Sequence, residues 1–190
     1  PALPEALMNY LQVVRALNAD GRLRYYPGSP ELARRLSRPQ DRLHCNEKHP
    51  EDGALLKANM AEDRRVAVHR GDGWHVPRAL LPTAEKRVLL LIDPPFEQVD
   101  ELQRCVKALN DALGRMRQAI VVIWYPIKDE RQLRSFYQAL AASAAPKLLR
   151  AELMVHPADN ALGLNGSGLA IANPPWGLED SLRELLPWLA

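Results

Sequence analysis

The chain has 190 residues, of which 47% are hydrophobic and 25% charged, with a formal net charge of +2. This length fits one domain with a single core, since domains commonly have ~100–150 residues, and the composition excludes wholesale disorder. No apolar run approaches the ~18–20 residues that span a bilayer, and no signal-peptide pattern is present. The two cysteines, Cys45 and Cys105, offer no disulfide framework or metal-ligand spacing. We therefore expect a cytoplasmic protein.

Apolar periodicity and turn residues predict helices alternating with strands along most of the chain. Apolar residues between 3 and 18 recur every three or four positions, which predicts an amphipathic helix that ends at Asp20-Gly21. Ser29 and Pro30 are the predicted N-cap and first-turn residues of a second helix, at 30–37. Further helices are predicted at 51–60, from Val99 to Leu113, around 133–140 and at 179–189. Strands are predicted at 43–48, 65–70, 87–93, 119–125, 148–155 and 168–173.

This alternation predicts an α/β domain with a mostly parallel sheet. The strand at 87–93 is continuously apolar, so we expect it to be buried on both faces. Asn165-Gly166 is a strong hairpin signal between the last two strands and predicts an antiparallel edge. We interpret the glycine-rich run at 163–168 as that turn, not as a dinucleotide-binding loop.

Acidic residues follow three consecutive predicted strands. Glu47 ends the first strand, Asp72 follows the second, and Asp93 follows the third. In α/β sheets, ligands bind beyond the carboxyl ends of the strands, where a carboxylate commonly accepts hydrogen bonds from the ribose hydroxyls of a nucleotide-like cofactor. Taken singly, Glu47 is better explained as a solvated strand end, but three acids in succession favour a cofactor site.

The sequence Asp-Pro-Pro-Phe at 93–96 is the most specific chemical signal in the chain. It suits methylation of an exocyclic amino group on a nucleobase, whose nitrogen is a poor nucleophile while its lone pair is delocalised into the ring. The Asp93 carboxylate and a proline carbonyl can accept hydrogen bonds from the two N–H groups and hold the nitrogen pyramidal. Phe96 offers a stacking face for an extruded base. The alternative is a proline-rich turn after the strand.

A second segment, Asn-Pro-Pro-Trp at 173–176, has the same form, with asparagine as a permitted variant of the aspartate. We prefer 93–96, because 173–176 follows a hairpin strand predicted at the sheet edge, where a turn is expected. Trp124-Tyr125-Pro126, after the fourth strand, is expected either to line a substrate pocket or to pack in the core. The five histidines show no metal-ligand spacing, so no metal site is predicted.

The first 42 residues contain seven arginines and four acidic residues, and so carry a net charge of +3. Such a segment can be a surface that contacts the phosphates of a nucleic acid. The alternative is a set of solvated helix faces along which arginine side chains lie. Charge alone leaves both interpretations open.

Together these residues resemble the RlmJ family of 23S ribosomal RNA adenine-N6 methyltransferases. The resemblance rests on motifs in order along nearly the whole chain: RYYPGSP at 24–30, NEKHP at 46–50, GDG at 71–73, LIDPPFE at 91–97, WYP at 124–126, and SG, NPPW and LPWL between 167 and 189. It implies a class I S-adenosylmethionine-dependent methyltransferase fold, that is, an α/β, Rossmann-like sheet with helices on both faces and a small helical insertion.

The resemblance also implies roles for individual residues. The cofactor-binding positions are Ser29 in the PGSP loop, Glu47 on the ribose, Asp72 and Gly73 at the cofactor's adenine, and Asp93. Asp93 also matches the catalytic aspartate of a motif formed by Asp93, Pro94, Pro95 and Phe96. Phe96 replaces the more usual tyrosine, which keeps the stacking ring and loses the hydroxyl.

The family begins with a strand and a glycine-rich loop, D-x-H-A-G-A-G, that wraps the methionine part of the cofactor, and it ends with further strands. Neither part is found in this sequence. We therefore expect a fragment truncated at both ends, with the helical insertion and PGSP loop at 1–40 and the methyltransferase core at 41–190.

The expected function is transfer of a methyl group from S-adenosylmethionine to N6 of an adenine in 23S ribosomal RNA, by a monomer with no metal ion and no membrane contact. The candidate RNA-binding residues are Arg22, Arg24, Arg34 and Arg35. The alternatives are a non-catalytic RNA-binding remnant and a DNA adenine-N6 or protein methyltransferase. The intact acids Glu47, Asp72 and Asp93 argue against the remnant, because a binding module has no need of them beside RNA phosphates.

Overall fold

The computed structural model describes residues 3–128, 130–157 and 163–190. Its helices are α1 (Glu5–Leu17), α2 (Ser29–Leu36), α3 (Pro50–Met60), α4 (Val76–Leu80), α5 (Glu101–Arg115), α6 (Glu130–Ala141) and α7 (Leu178–Leu189). Its strands are β1 (Leu43–Glu47), β2 (Val66–Arg70), β3 (Leu89–Ile92), β4 (Ile120–Ile127), β5 (Leu148–Met154) and β6 (Gly166–Ala172). The predicted order of helices and strands is confirmed. The short α4 and the 3₁₀ turn before it, Gly73–His75, were not predicted.

The chain divides into two compact units, the first of which ends at Gly73. In this unit β1 and β2 form a parallel pair, and α3 packs against both strands. Arg65, just before β2, donates hydrogen bonds to the backbone carbonyls of Arg34, Ser37 and Arg38 at the end of α2. The last carbonyls of a helix lack partners within it, so this one guanidinium attaches α2 to the strand pair.

The second unit, Trp74–Ala190, contains a four-stranded sheet in the order β3-β4-β6-β5. β3 is parallel to β4, while β6 is antiparallel to both of its neighbours, β4 and β5. Alternate side chains of β4 are buried and join apolar residues of α5 and α6 in the core. The predicted antiparallel pairing of the last two strands is therefore confirmed, although the strand next to the edge is β6 and the edge strand is β5.

Tyr125 crosses from β4 over β6 to reach β5. It lies opposite Gly168 in the register, its ring is fully buried, and its hydroxyl donates a 2.6 Å hydrogen bond to Glu152 Oε1. A Cβ atom at Gly168 would overlap the Tyr125 ring. Glycine is therefore required at 168, since only a residue without a side chain leaves room for this ring.

Two expectations about the strands are wrong. β3 is not buried on both faces: Leu90 and Ile92 pack against the core, but Leu89 is 65% exposed and Leu91 is 42% exposed. An apolar run shows that a strand can be covered, but not whether an element covers its second face. Asn165-Gly166 is also not the turn, because Gly166 already lies in β6 opposite Met154.

The glycine at 166 has a packing role where the sequence predicted a turn. A Cβ atom there would overlap the carbonyl oxygen of Leu153 on the neighbouring strand. The sequence predicted a two-residue connection between β5 and β6, but the connection is longer. Residues 158–162 of it lie outside the described residues. The proposed domains, 1–40 and 41–190, stay a prediction.

Candidate active site and cofactor-binding residues

The Asp93–Phe96 segment leaves the sheet at the carboxyl end of β3. In the parallel register, Ile92 of β3 lies opposite Ile123 of β4. Asp93 directly follows Ile92, and Trp124 directly follows Ile123, so these two residues are the next neighbours along the parallel pair. This position agrees with the predicted placement of Asp93 after the third strand, at the edge of the sheet where α/β proteins bind ligands.

Phe96 has an unusual backbone conformation that directs its ring towards Trp124. Its φ angle is 54°, in the left-handed region that bulky residues rarely adopt. The ring is half-buried, and its centroid lies 5.6 Å from that of Trp124, with an interplanar angle of 56°. Uncommon backbone angles are often found at functional sites, where the surrounding structure holds them. The two rings form an aromatic corner beside Asp93.

The Asp93 side chain is the acidic group that directly follows β3. No hydrogen bond or ion pair to its carboxyl group occurs within the described part of the chain. The surrounding protein removes part of its hydration, and this desolvation raises the pKa of Asp93 above its usual range. A carboxylate that has lost water and gained no partner is prepared to accept hydrogen bonds from a ligand.

Asn173 lies at the opposite end of the strands from Asp93, because β6 runs antiparallel to β4. Its side-chain amide donates hydrogen bonds of 2.8 and 2.9 Å to the carbonyls of Arg117 and Ala119, which precede β4. Its backbone N–H bonds the Lys147 carbonyl at 3.0 Å. The expectation that 173–176 follows an edge strand is wrong, since β6 lies between β4 and β5. Asn173 instead has a structural role, with its amide engaged by backbone.

Trp124, Tyr125 and Pro126 lie within β4, not after it as predicted. The two expected alternatives, packing in the core and lining a pocket, apply to different residues of this group. Tyr125 is fully buried in the core, whereas Trp124 contacts Phe96 and so lines the Asp93 edge. The sequence reasoning did not pair Trp124 with Phe96, although aligning the apolar runs of the third and fourth strands would have placed them together.

In the first unit, the ends of β1 and β2 carry the residues predicted to bind the cofactor. Glu47 Oε1 accepts a 2.8 Å hydrogen bond from the backbone N–H of His49, just before α3. Asn46 donates a 3.0 Å hydrogen bond to the carbonyl of Gly71, and the N–H of Gly71 bonds the carbonyl of Glu47 at 3.2 Å. These bonds hold the two strand ends side by side. Glu47 and the half-buried Asp72 thus flank one edge of the parallel pair.

Ser29 and Gly73 lie at the ends of other elements of this unit. Ser29 is the first residue of α2 rather than its N-cap, which is Gly28, and no side-chain hydrogen bond caps the helix. The predicted capping role of Ser29 is therefore wrong by one position. Its side chain is exposed, so a ligand can reach its hydroxyl. Gly73 begins the 3₁₀ turn directly after Asp72.

Three of the four candidate RNA-binding arginines are already in ion pairs. Arg34 and Arg35 share Glu31, at 2.7 Å and 2.5 Å, and these arginines lower the pKa of Glu31 to about 2. Arg24 pairs with Asp20 at 2.9 Å. The side chain of Arg22 makes no ion pair among the described residues, which leaves it the most available cation of the four.

Comparisons with known proteins identify the family. The sequence matches, over residues 1–190, the family described as ribosomal RNA large subunit methyltransferase D, RlmJ. The chain belongs to the RlmJ family. It is 40% identical over 187 residues to ribosomal RNA large subunit methyltransferase J of Escherichia coli (strain K12), and this match covers 98% of the chain and 67% of that protein.

Solved structures agree with this membership. Protein LPL1258 of Legionella pneumophila superposes with a TM-score of 0.92 at 32% identity, over 98% of this chain and 69% of that one. The O-methyltransferase TomG of Streptomyces achromogenes, solved with SAM, gives a TM-score of 0.51 at 15% identity, over 87% of this chain and 90% of that one, and shows the fold alone. The expected RlmJ family, class I methyltransferase fold and ribosomal RNA methyltransferase activity are confirmed.

No described helix is long and apolar enough to cross a membrane. No group of three or more histidine, cysteine or acidic side chains in the described residues is arranged to hold a metal ion.

Proposed function

We propose that this RlmJ-family methyltransferase places its methyl group on N6 of an adenine in 23S ribosomal RNA, with Asp93, Pro94, Pro95 and Phe96 as the catalytic segment. The observation that carries this proposal is the Asp93 carboxylate at the carboxyl end of β3, which is exposed, partly desolvated and without a partner in the described residues, beside the Phe96 and Trp124 rings. An acceptor next to a stacking surface is what an extruded adenine requires.

The chemistry follows from the properties of the adenine amino group. Its nitrogen becomes nucleophilic only when its lone pair leaves the ring system, and two hydrogen-bond acceptors favour that geometry. The Asp93 carboxylate supplies one acceptor and the Pro94 carbonyl the other, while the two proline rings restrict the backbone that aims them. Asp93 then holds the proton that the nitrogen releases. The Phe96 ring, seated against Trp124, stacks on the base and fixes its plane.

The cofactor is S-adenosylmethionine, which supplies an electrophilic methyl group on a positively charged sulfur. The residues of the first unit fit it by their donor and acceptor chemistry. The Glu47 carboxylate has one oxygen engaged by His49 and a second one to accept from the ribose hydroxyls. Asp72 and Gly73 are proposed to hold the cofactor's adenine, and Ser29 offers a hydroxyl at the start of α2.

The RNA is proposed to contact the basic residues Arg22, Arg24, Arg34 and Arg35. Exposed ion pairs such as Arg24–Asp20 contribute little stability, about 0–1 kcal/mol, so a phosphate can replace Asp20 at small cost. Arg34 and Arg35 share one half-buried carboxylate, which reduces their combined charge. We therefore assign the largest phosphate contribution to Arg22. The enzyme acts in the cytoplasm, as a monomer, and requires no metal ion.

The test is methyl transfer to unmodified 23S ribosomal RNA, measured as N6-methyladenosine by mass spectrometry of the digested RNA. The full-length protein is compared with its Asp93→Ala variant, and Asn173→Ala serves as the matched control. N6-methyladenosine formed by the parent and the control, but not by Asp93→Ala, is the expected result. Equal turnover by Asp93→Ala would transfer the catalytic assignment away from this segment. A methylated DNA product with unmodified RNA would refute the proposed substrate.

Salt dependence tests the arginines separately. Removing one arginine–phosphate interaction should make the slope of log K against log salt shallower by ~0.7–0.9. Arg22→Ala is expected to show this change for target and non-target RNA alike, because phosphate contacts carry no sequence information. Arg34→Ala, whose charge is shared with Glu31, should change the slope less. An unchanged slope for Arg22→Ala would mean that this surface does not contact RNA.

A further inference from the structure

The segment from Leu23 to Tyr26 exposes three large apolar side chains. Leu23 is 73% exposed, Tyr25 64% and Tyr26 75%. Single exposed apolar residues need no explanation, but a contiguous group often marks a binding surface. We call Leu23, Tyr25 and Tyr26 the aromatic platform. Its exposure therefore points to a ligand that covers it.

The backbone of the platform is held rigidly by a buried side chain. Asn18, only 9% exposed, accepts hydrogen bonds from the N–H groups of Arg24 and Tyr25, at 2.7 and 3.0 Å. Its amide donates to the carbonyls of Val14 and Tyr25, at 2.9 and 2.8 Å. One asparagine therefore fixes both polar backbone groups of Tyr25 to the end of α1. The exposed rings are presented by an ordered backbone, which reduces the entropy lost on binding.

Tyr26 is further oriented by a contact with α1. Its ring centroid lies 6.3 Å from that of Tyr10, and the two planes make an angle of 64°, an edge-on arrangement. Burial and the neighbouring Tyr26 side chain raise the pKa of Tyr10 to about 12. The contact holds Tyr26 in place while three quarters of its surface stays open to a ligand.

Positive charges alternate with the platform along the chain. Arg22 precedes Leu23, and Arg24 lies between Leu23 and Tyr25. Arg24 pairs with Asp20, but both side chains are about half exposed, so the pair is easily exchanged. Two cations beside a pair of exposed aromatic rings match a ligand that presents both phosphates and flat apolar rings, which describes an unpaired nucleic-acid strand.

We infer that the aromatic platform stacks unpaired bases of the substrate RNA, with Tyr25 and Tyr26 contacting the bases and Arg22 the adjacent phosphate. This inference rests on the proposed function, because it takes the substrate to be RNA. It extends that function by assigning the platform to single-stranded rather than helical RNA. Bases in a duplex are already stacked on one another and cannot use the rings.

The experiment measures the affinity of the full-length protein for two RNA probes by fluorescence anisotropy at several salt concentrations. One probe is an unstructured single strand, and the other is a fully paired duplex of the same length. The variants are Tyr25→Ala, the Tyr25→Ala/Tyr26→Ala double variant, and the double phenylalanine variant, which keeps both rings. Tyr25→Ala alone leaves the Tyr10–Tyr26 contact untouched. Leu36→Ala, which removes an apolar side chain that is 60% exposed and has no ring, is the matched control.

The expected result is selective loss of affinity for the single strand. Stacking on one aromatic side chain corresponds to an affinity change of roughly 5- to 150-fold per base. The alanine variants should lose this factor on the single strand, keep their affinity for the duplex, and keep the parent's salt slope. The phenylalanine variant and Leu36→Ala should bind like the parent.

Four results would overturn the inference. Unchanged single-strand affinity, or equal loss on both probes, would show that the rings do not stack on unpaired bases. A loss of S-adenosylmethionine affinity by calorimetry with normal RNA binding would assign the platform to the cofactor and leave the proposed function standing. Absence of RNA binding by the parent protein would overturn the proposed function as well.

Discussion

Replacing Asp93 by Ala tests the catalytic assignment with little risk to the fold, because no hydrogen bond or ion pair within the described residues depends on that carboxylate. The change removes one of the two acceptors that orient the amino nitrogen. Loss of one oriented partner of a transition state typically lowers kcat by ~10²–10³, equivalent to about 2.7–4 kcal/mol. The protein's stability should stay unchanged or rise slightly, since the raised pKa shows that the folded state disfavours the charged carboxylate.

Asn173→Ala should give the opposite pattern. The two amide hydrogen bonds to Arg117 and Ala119 each contribute about 0.5–1.5 kcal/mol. The φ angle of Asn173 is 52°, a region that costs alanine roughly 1–2 kcal/mol more than its usual conformations. Together these effects predict a destabilisation of about 2–5 kcal/mol. Glycine adopts this φ angle without strain, so Asn173→Gly should lose only the stability that the two hydrogen bonds contribute.

Both properties can be measured on the same preparations. Urea unfolding gives the free energy of unfolding, and single-turnover methyl transfer at saturating cofactor and RNA gives the rate, at a temperature where every variant is folded. We expect a slow, stable Asp93→Ala and a fast, less stable Asn173→Ala. The reasoning fails if Asp93→Ala is strongly destabilised, because its rate loss would then reflect misfolding. It also fails if Asn173→Ala is slow while still folded.

Three further predictions follow from single contacts. Glu47→Gln keeps an oxygen for the His49 N–H but loses the charge, so the Kd for S-adenosylmethionine should rise about 10- to 150-fold by calorimetry with kcat nearly unchanged; an unchanged Kd would make Glu47 a surface acid. Gly168→Ala should lower the free energy of unfolding by ~3–5 kcal/mol by displacing the Tyr125 ring, whereas Gly114→Ala, in open space on α5, should raise it by ~0.5–1 kcal/mol; equal effects would refute the packing argument. Cys105 is fully buried and its pKa is raised to about 12, so its thiol should react with Ellman's reagent only on unfolding; rapid labelling of the native protein would contradict this burial.

The sequence was sufficient for the elements because their apolar periodicity is strong. The regular apolar spacing on α5 corresponds to the face that the core covers, and the continuous apolar run at the start of β4 indicated a strand. The position of Asp93 was predictable for the same reason, since a carboxylate directly after a buried run must lie where the strand leaves the sheet. Local pattern and chain order were enough for this part of the site.

Features that depend on distant residues could not be predicted. Gly166 and Gly168 look like turn residues, but their lack of a side chain is required by Leu153 and Tyr125, which approach from neighbouring strands. The exposed side of β3 is a similar case, because the sequence Leu-Leu-Leu-Ile does not tell whether a second layer covers it. A glycine in a sequence indicates only that the backbone can form a turn there. Whether a neighbouring strand approaches it closely depends on the register of the sheet.

The sequence also did not show which arginines form ion pairs. The charge count of the first 42 residues is correct, but it treats all seven arginines as equal. In the structure Glu31 neutralises part of the charge of Arg34 and Arg35. Arg24 and Arg38 are also in ion pairs, with Asp20 and Asp41. The number of arginines therefore overestimates the number of cations that can meet a phosphate.

The raised pKa of Asp93 also predicts a pH dependence with a definite sign. Only the ionised Asp93 can take up the proton that the amino nitrogen releases, and it is also the stronger hydrogen-bond acceptor, so kcat should fall as the pH drops through its raised pKa, above the ~3.9 of an ordinary aspartate. Between the unfolded and folded pKa values the folded state binds more protons, so this group's contribution to stability decreases as the pH rises. Asp93→Asn keeps an acceptor oxygen but does not titrate. It should lack the acidic limb and be slightly more stable than the parent at neutral pH, with the two converging at low pH. Comparing the pair cancels the effects of other acids, such as Glu31, on acid unfolding. An acidic limb that persists in Asp93→Asn, or a stability difference that does not change with pH, would assign the titration to another group.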